Sequence, residues 1–206
     1  MTLGVFVMGL GIAMSKLALL GTTPISTIPA VLSFTTDLTI GTWTIIFNVF
    51  LIILEYIILG KKNLRLDTAL QMVVAILLGV FTDVGVELFS GIIAPADYLT
   101  QWIWCISACI VLSIGVTVEI EAGLLVAPGD GFVMALKLKK PEMPFSRWKV
   151  IFDSTNVIIA ALLSIMLTGG LNSGVREGTI FAAIAVGLLV GFWRKHIGGV
   201  MRKIIE

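Results

Sequence analysis

Ionisable side chains within apolar segments are the residues of this sequence whose chemistry most needs an explanation. Asp153 lies about one and a half helical turns into such a segment, and Glu119 lies near the end of another. Lys16 occupies the equivalent zone of the first apolar segment. Because a charge in hydrocarbon is costly, each is a functional-site candidate. We predict Lys16 and Glu119 as a gating charge pair and Asp153 as a coupling or gating charge. The alternative is structural pairing or contact with interfacial water.

Two connecting segments, residues 21–40 and 123–136, are too apolar for solvated loops. Each has a Gly/Pro break followed by a short helical pattern. Thr23 before Pro24 is an N-cap candidate, and Asp130 in the run PGDG is a second. We predict short broken or re-entrant helices that dip into the membrane and are buried against protein. The alternative is a pair of interfacial helices that cover the spans.

The beginnings of such half-helices suit an anionic or carboxylate-bearing solute, because unpaired N–H groups and the positive end of the helix dipole lie there. Ser26 and Thr27 would add hydroxyl donors. Arg176 lies at the start of the last apolar segment. We predict that it contacts the solute and acts as a coupling or gating charge. The alternative is a structural pair with a carboxylate. The predicted solute-binding residues are Thr23, Pro24, Ser26, Thr27, Asn48, Gly129, Asp130, Asp153, Arg176 and Glu177.

Motifs of enzyme chemistry are absent from the sequence. The one histidine, His196, lies in a basic C-terminal stretch, and no Ser–His–Asp set, HExxH, Walker A or GxGxxG motif occurs. Cys105 and Cys109 share one face of an apolar helix. Two cysteines alone supply too few ligands for a metal site. We therefore expect no enzyme, no cofactor and no bound metal.

The composition places these residues in a membrane. Of the 206 residues, 58% are hydrophobic and only 13% are charged, with a mean hydropathy of +1.07. One soluble core could not enclose this much apolar material, so the excess must face lipid. The formal net charge of +1 and the lack of a basic face exclude a nucleic-acid partner.

Hydropathy predicts an all-α polytopic protein with about six transmembrane helices. Each predicted span is close to the ~20 residues that cross a bilayer, and the spans cover residues 2–20, 41–59, 67–89, 99–120, 148–168 and 178–194. Twelve of the 14 Lys and Arg residues then fall on one side. Since basic loops stay in the cytoplasm, we predict that both termini are cytoplasmic.

An internal repeat relates the two halves of the chain. Gly11 and Pro24 recur 104 residues later as Gly115 and Pro128. Trp43 and Asn48 have counterparts at a shift of 105, Trp148 and Asp153, and the third helices match at a shift of 111. We predict repeats over residues 1–92 and 93–206. Because each half has three spans, the second must be inverted, as in many secondary transporters.

A stripe of small residues lies on the last predicted span, formed by Ala183, Gly187 and Gly191. Such stripes permit close helix approach. The stripe could serve packing within the monomer or a homodimer.

Several segments together resemble the YitT/YczE-type bacterial membrane proteins, over nearly the whole chain. They are ALLGTTPISTIPAVLS and GTWTIIFN in the first half and APGDG, IFD and GVREGT in the second. The resemblance implies a protein of the bacterial plasma (inner) membrane and names no substrate. In that family the first signature often reads Ser-Pro-Trp-Asp; here Ser26 stands in place of the acid, which only Asp130 matches in the second half.

The function that these patterns favour is a small secondary transporter of a polar, anionic or zwitterionic solute, with the site between the two half-helices. One alternative is a substrate-binding membrane subunit that works with an energising partner. Another is a non-transporting scaffold or regulator. The expected partners are the lipid bilayer and a small-molecule solute.

Overall fold

A computed structural model describes residues 1–60, 66–123, 127–171 and 174–196, and these residues form helices and connections with no strand among them. One 3₁₀ turn, Pro24–Ser26, runs directly into the second α-helix. The α-helices are α1 (Thr2–Leu17), α2 (Thr27–Thr35), α3 (Ile40–Leu59), α4 (Leu66–Ser90), α5 (Tyr98–Ala122), α6 (Pro128–Lys139), α7 (Phe145–Thr168) and α8 (Glu177–His196). The last ten residues of the chain, with part of the basic C-terminal stretch, lie outside the described residues.

Among the described residues, five helices are long and apolar enough to cross a membrane: α3, α4, α5, α7 and α8. This is the architecture of a multi-pass membrane protein, as the hydropathy predicts. The helix in the first predicted span is shorter, with 16 residues. It ends at Leu17 because the backbone turns at Leu19, which has a positive φ of 59°, and again at Gly21, with φ of 98°.

Helix ends elsewhere follow local rules. The Thr39 hydroxyl accepts the Thr42 N–H at 3.0 Å before α3. The Asp97 carboxylate accepts the Thr100 N–H at 3.0 Å before α5. Asp97 lies at the surface, and hydrogen bonds from the side chain and backbone of Thr100 lower its pKa.

The centre of the bundle is the crossing of α1 and α5, the most extensive helix contact, and the two helices run antiparallel. Glycines allow the close approach. A Cβ built on Gly11 would lie 2.7 Å from the backbone nitrogen of Leu112, and one on Gly115 would lie 2.6 Å from that of Met8. Any side chain at either position would therefore push the two backbones apart.

The packing pairs are arranged alike in the two halves. The contact of α1 with α4 has a counterpart in α5 with α8, and the contact of α2 with α7 has one in α6 with α3. One contact breaks the pattern: α3 packs along α4, whereas α7 and α8 make no comparable contact within the described residues.

Helix starts also agree with the sequence repeat. Pro24 and Pro128 begin short helical segments that each end 11 residues later, at Thr35 and Lys139. The next helices begin at Ile40 and Phe145. The two pairs of starts are separated by 104 and 105 residues, two of the three shifts read from the sequence.

Candidate functional site

The first turns of the two short helical segments meet inside the protein. The Ile25 side chain lies against Gly129, where a Cβ would collide with it. Ile25 and Gly129 are equivalent residues at the repeat shift of 104. Both segments begin with proline at the first helical position, where the missing N–H costs no hydrogen bond. Two helix beginnings, where the first N–H groups have no carbonyl partner within the helix, are therefore brought together.

Hydroxyl groups surround the first of these turns. Thr23, Ser26 and Thr27 are buried; the Thr23 hydroxyl donates to the Ser26 hydroxyl at 3.3 Å, and the Thr27 hydroxyl to the Pro24 carbonyl at 2.7 Å. Thr23 occupies the predicted N-cap position, but its side chain makes no cap hydrogen bond to the backbone. These hydrogen bonds fix the orientation of the three hydroxyl groups at the turn where a solute is predicted.

The second turn differs from the prediction. Asp130 is not an N-cap: the cap is Ala127, and Asp130 lies in the first turn of α6. The reason is that Pro128 already sets helical φ two residues earlier. The Asp130 carboxylate instead pairs with the Lys149 ammonium of α7 at 3.0 Å. An acid in the first turn also stabilises the positive end of the helix dipole.

Lys149 joins two carboxylates, because its ammonium also lies 3.4 Å from Asp153, one helical turn along α7. Asp130, Lys149 and Asp153 form an acidic triad of net charge −1. Sequence reasoning assigned Lys149 only to the basic cytoplasmic side and missed its role here. The signal was the i,i+4 spacing of Lys149 and Asp153, which favours pairing on a helix.

Polar residues continue along one face of α3 and one face of α7, and we call these the polar stripes. On α3 they are the buried Thr44, Asn48 and Glu55, and on α7 they are Lys149, Asp153 and Asn156. Thr44 matches Lys149, and Asn48 matches Asp153, at the shift of 105. The two halves thus place polar side chains at equivalent positions of apolar helices, where a purely structural helix would carry apolar ones.

Two buried polar side chains meet at the start of α6, Glu55 of the α3 stripe and Gln71 of α4. Gly131 leaves room for side chains of neighbouring helices: a Cβ there would lie 2.5 Å from Gln71 Nε2 and 2.7 Å from Glu55 Oε2. Glu55 lies near the end of α3, where the sequence alone suggests that its side chain reaches interfacial water. It is only 5% exposed, so it does not reach water there. Glu119 is 6% exposed.

The two predicted gating charges are not brought together. Glu119 lies beside the start of α1, next to Gly4, whereas Lys16 lies at its other end, with its ammonium 5.3 Å from the centre of the Phe34 ring. The antiparallel course of α1 and α5 separates them.

Arg176 and Glu177 connect α8 to the end of α1. Arg176 donates to the Leu19 carbonyl at 2.9 Å and pairs with Glu177 at 2.9 Å, and the Gly178 N–H donates to the Leu20 carbonyl at 2.8 Å. No described contact joins Arg176 to the acidic triad. The structural reading of Arg176, left open by the sequence, is the one that these contacts favour.

Comparison with known proteins gives a family but no activity. A family model described as a family of unknown function, DUF6198, matches residues 1–195. The chain belongs to this family. The chain is also 24% identical over 146 residues to the uncharacterized protein YyaS of Bacillus subtilis (strain 168), and the match covers 70% of the chain and 71% of that relative. No solved structure matches. The resemblance to the YitT/YczE-type proteins stays a prediction.

A cavity of about 530 Å³ lies between α2, α3, α6 and α7. Its walls are almost entirely apolar, and none of the predicted solute-binding residues lines it. We call it the lateral groove. Within the described residues, no group of three or more His, Cys, Asp or Glu side chains could hold a metal ion.

Proposed function

We propose that the protein is a small secondary transporter of a polar, anionic or zwitterionic solute. Alternating access would come from movement of residues 1–92 against residues 93–206. The observation that carries the proposal is the meeting of two proline-led helix beginnings between the halves, next to the polar stripes. Buried charge and half-helix ends in a membrane domain are otherwise costly and are typical of solute sites.

The proposed mechanism includes an inverted duplication with six spans, α1 among them. At the crossing of α1 and α5, Gly11 packs on Leu112 and Gly115 packs on Met8, and these two contacts exchange under the shift of 104. Equivalent residues that make reciprocal contacts are expected of two copies related by a two-fold axis. Because α1 and α5 run antiparallel, such an axis would lie in the membrane plane.

The charges favour a zwitterionic solute among the candidates. A carboxylate would bind the free N–H groups at the start of the two short helices. An ammonium group would bind the acidic triad, whose net charge of −1 leaves it short of a cation. Ser26 and Thr27 are buried at the first turn and supply hydroxyl groups. Asp153 would sense the solute through Lys149, which it shares with Asp130.

The proposed location is the bacterial plasma membrane, with both termini in the cytoplasm. The end of α6 carries the exposed Lys139 and Lys140, as expected of a cytoplasmic loop. A reporter fused to the C-terminus should be active in the cytoplasm and inactive outside it. The opposite result would invert the topology and the direction of every step.

Flux measurements test the function directly. The purified protein in sealed liposomes should carry one or more of a panel of radiolabelled amino acids and mono- and dicarboxylates. The variants Asp130→Asn and Asp153→Asn should lose most of this flux, while the control Asp97→Asn, at a surface carboxylate, should keep it. Full flux in both triad variants would remove the site proposal. Flux that requires a co-expressed ATPase would instead indicate a binding subunit of a larger transporter.

A further inference from the structure

The lateral groove is a formed site with a chemistry of its own. It runs along α3 from Trp43 to Leu54, about 16 Å at 1.5 Å per residue. Phe47, Phe152 and Ile159 contribute to its apolar walls. Its volume of about 530 Å³ falls within the range of small-molecule sites. These α3 and α7 residues lie in spans, so the molecules that reach the groove from the side are those dissolved in the bilayer.

One polar side chain lies in this apolar lining without a partner. Asn156 lines the groove and is only 4% exposed, and its amide nitrogen has no hydrogen-bond partner among the described residues. The other polar groups of the walls are satisfied: Trp43 donates to Thr36 at 2.8 Å, and Thr155 donates to the Ile151 carbonyl at 2.7 Å. Since buried donors are nearly always paired, Asn156 indicates an acceptor atom that the groove receives from outside.

The depth of Asn156 narrows the class of ligand. Asn156 lies near the middle of the span Arg147–Thr168, about 13 Å from its start. The ester groups of an ordinary diacyl phospholipid stay with the headgroups at the interface, far from this depth. A molecule whose oxygen reaches Asn156 must therefore be smaller and able to sink into the hydrocarbon layer.

We propose that the lateral groove binds the hydrocarbon tail of a single-chain amphiphile that enters from the bilayer, with an uncharged oxygen of that molecule accepting a hydrogen bond from Asn156. The apolar walls supply the binding energy through burial of the tail. Asn156 fixes the depth and orientation of the molecule. Binding of this amphiphile does not depend on transport, so it can be confirmed or refuted separately from the function proposed above.

Photolabelling tests the proposal. The full chain in phosphatidylethanolamine and phosphatidylglycerol nanodiscs is mixed with a monoacylglycerol that carries a diazirine at the end of its chain, and labelled peptides are identified by mass spectrometry. Labels should concentrate on α3 and α7 at the groove, and excess unlabelled monoacylglycerol should displace them. Labels spread evenly over the lipid-facing surfaces, including α8, would overturn the proposal.

Substitutions make the test specific. Thr155→Trp fills the groove and should reduce labelling at least fivefold. The matched control is Ser107→Trp, because Ser107 is a half-buried α5 residue outside the groove whose hydroxyl donates to the Ile103 carbonyl at 2.8 Å, as that of Thr155 does to Ile151. Ile46→Trp fills the groove from α3, should Thr155→Trp fail to fold. Equal labelling in the filled and control variants would refute the site.

The hydrogen bond has its own readout. Asn156→Leu keeps the apolar wall and removes the donor, so monoacylglycerol should bind about threefold to tenfold more weakly, the worth of one net hydrogen bond. A phospholipid with the same diazirine chain should be unaffected by this variant. If both probes label the groove equally and neither responds to Asn156→Leu, the groove holds ordinary lipid tails and the proposal is wrong.

Discussion

Replacing Gly115 by alanine tests the crossing of α1 and α5, on which the relation of the two halves depends. The added Cβ would lie 2.6 Å from the Met8 nitrogen and 2.9 Å from the Gly4 carbonyl oxygen. Both are backbone atoms, which cannot move aside by changing a side-chain rotamer. The two helices must therefore separate, which loosens the centre of the bundle.

The magnitude follows from two opposing effects. Overpacking a tight interface costs about 1–3 kcal/mol. Replacing glycine by alanine within a helix stabilises by about 0.5–1 kcal/mol. We expect Gly115→Ala to be destabilised by about 1–2 kcal/mol, a fall of roughly 2–8 °C in Tm for a chain of this size. Gly11→Ala should behave alike, since its Cβ would meet Leu112 at 2.7 Å.

A glycine without neighbours provides the control. A Cβ on Gly187 of α8 has nothing within 4 Å. Gly187→Ala should therefore keep only the favourable effect and be stabilised by up to about 1 kcal/mol. The same chemical change is thus expected to have opposite signs at Gly187 and Gly115.

Thermal unfolding in detergent can be followed with a thiol-reactive fluorophore. The two cysteines of the chain, Cys105 and Cys109, are both buried on α5, so they react only as the helix becomes exposed. The reasoning is refuted if Gly115→Ala melts at or above the wild-type temperature. It is also refuted if Gly187→Ala is destabilised as much as Gly115→Ala, because the effect would then be unrelated to the crossing.

Three other predictions concern charge and assembly. Lys149→Gln leaves Asp130 and Asp153 facing each other and should cost about 1–3 kcal/mol, discounted for partial exposure; Asp153→Asn in addition should restore part of it, and a melting curve with no recovery would contradict the triad. The folded-state pKa of Asp97 is lowered, so its charge stabilises the protein above the ordinary pKa of about 3.9, and this stabilisation is lost as the pH falls through the folded-state pKa. The Tm difference between wild type and Asp97→Asn should therefore shrink as the pH falls through that range. A difference that stays constant with pH would contradict the predicted stabilisation. The homodimer through the α8 stripe stays a prediction, which Gly187→Leu should weaken in native mass spectrometry, while an unaffected dimer would place the interface elsewhere.

Much of the helical plan follows from local properties of the chain. Prolines at positions 24 and 128 begin the short helices, because the fixed φ of proline suits the first helical turn and its missing N–H costs no hydrogen bond there. The five long apolar helices match the hydropathy spans to within a few residues. The first span is shorter than predicted, since hydropathy does not register the change of backbone direction at Leu19.

The partners that charged residues find on other helices could not be predicted in this way. Asp153 stands alone in its sequence neighbourhood as an acid in an apolar helix, yet in the fold it shares Lys149 with an acid of another helix, Asp130. Arg176 could equally have faced a solute, but its guanidinium donates to the Leu19 carbonyl just after the end of α1. Both outcomes depend on which helices pack together.

What the sequence determined by itself is therefore most of the helices and the breaks between them, because hydropathy, proline and glycine act within a few residues of their own position. The tertiary structure alone decided that the two broken helices meet at Ile25 and Gly129, with the acidic triad and the lateral groove beside them. The physical reason is that ion pairs and cavities are made between elements. Their geometry arises only when α6 packs against α7 and α3.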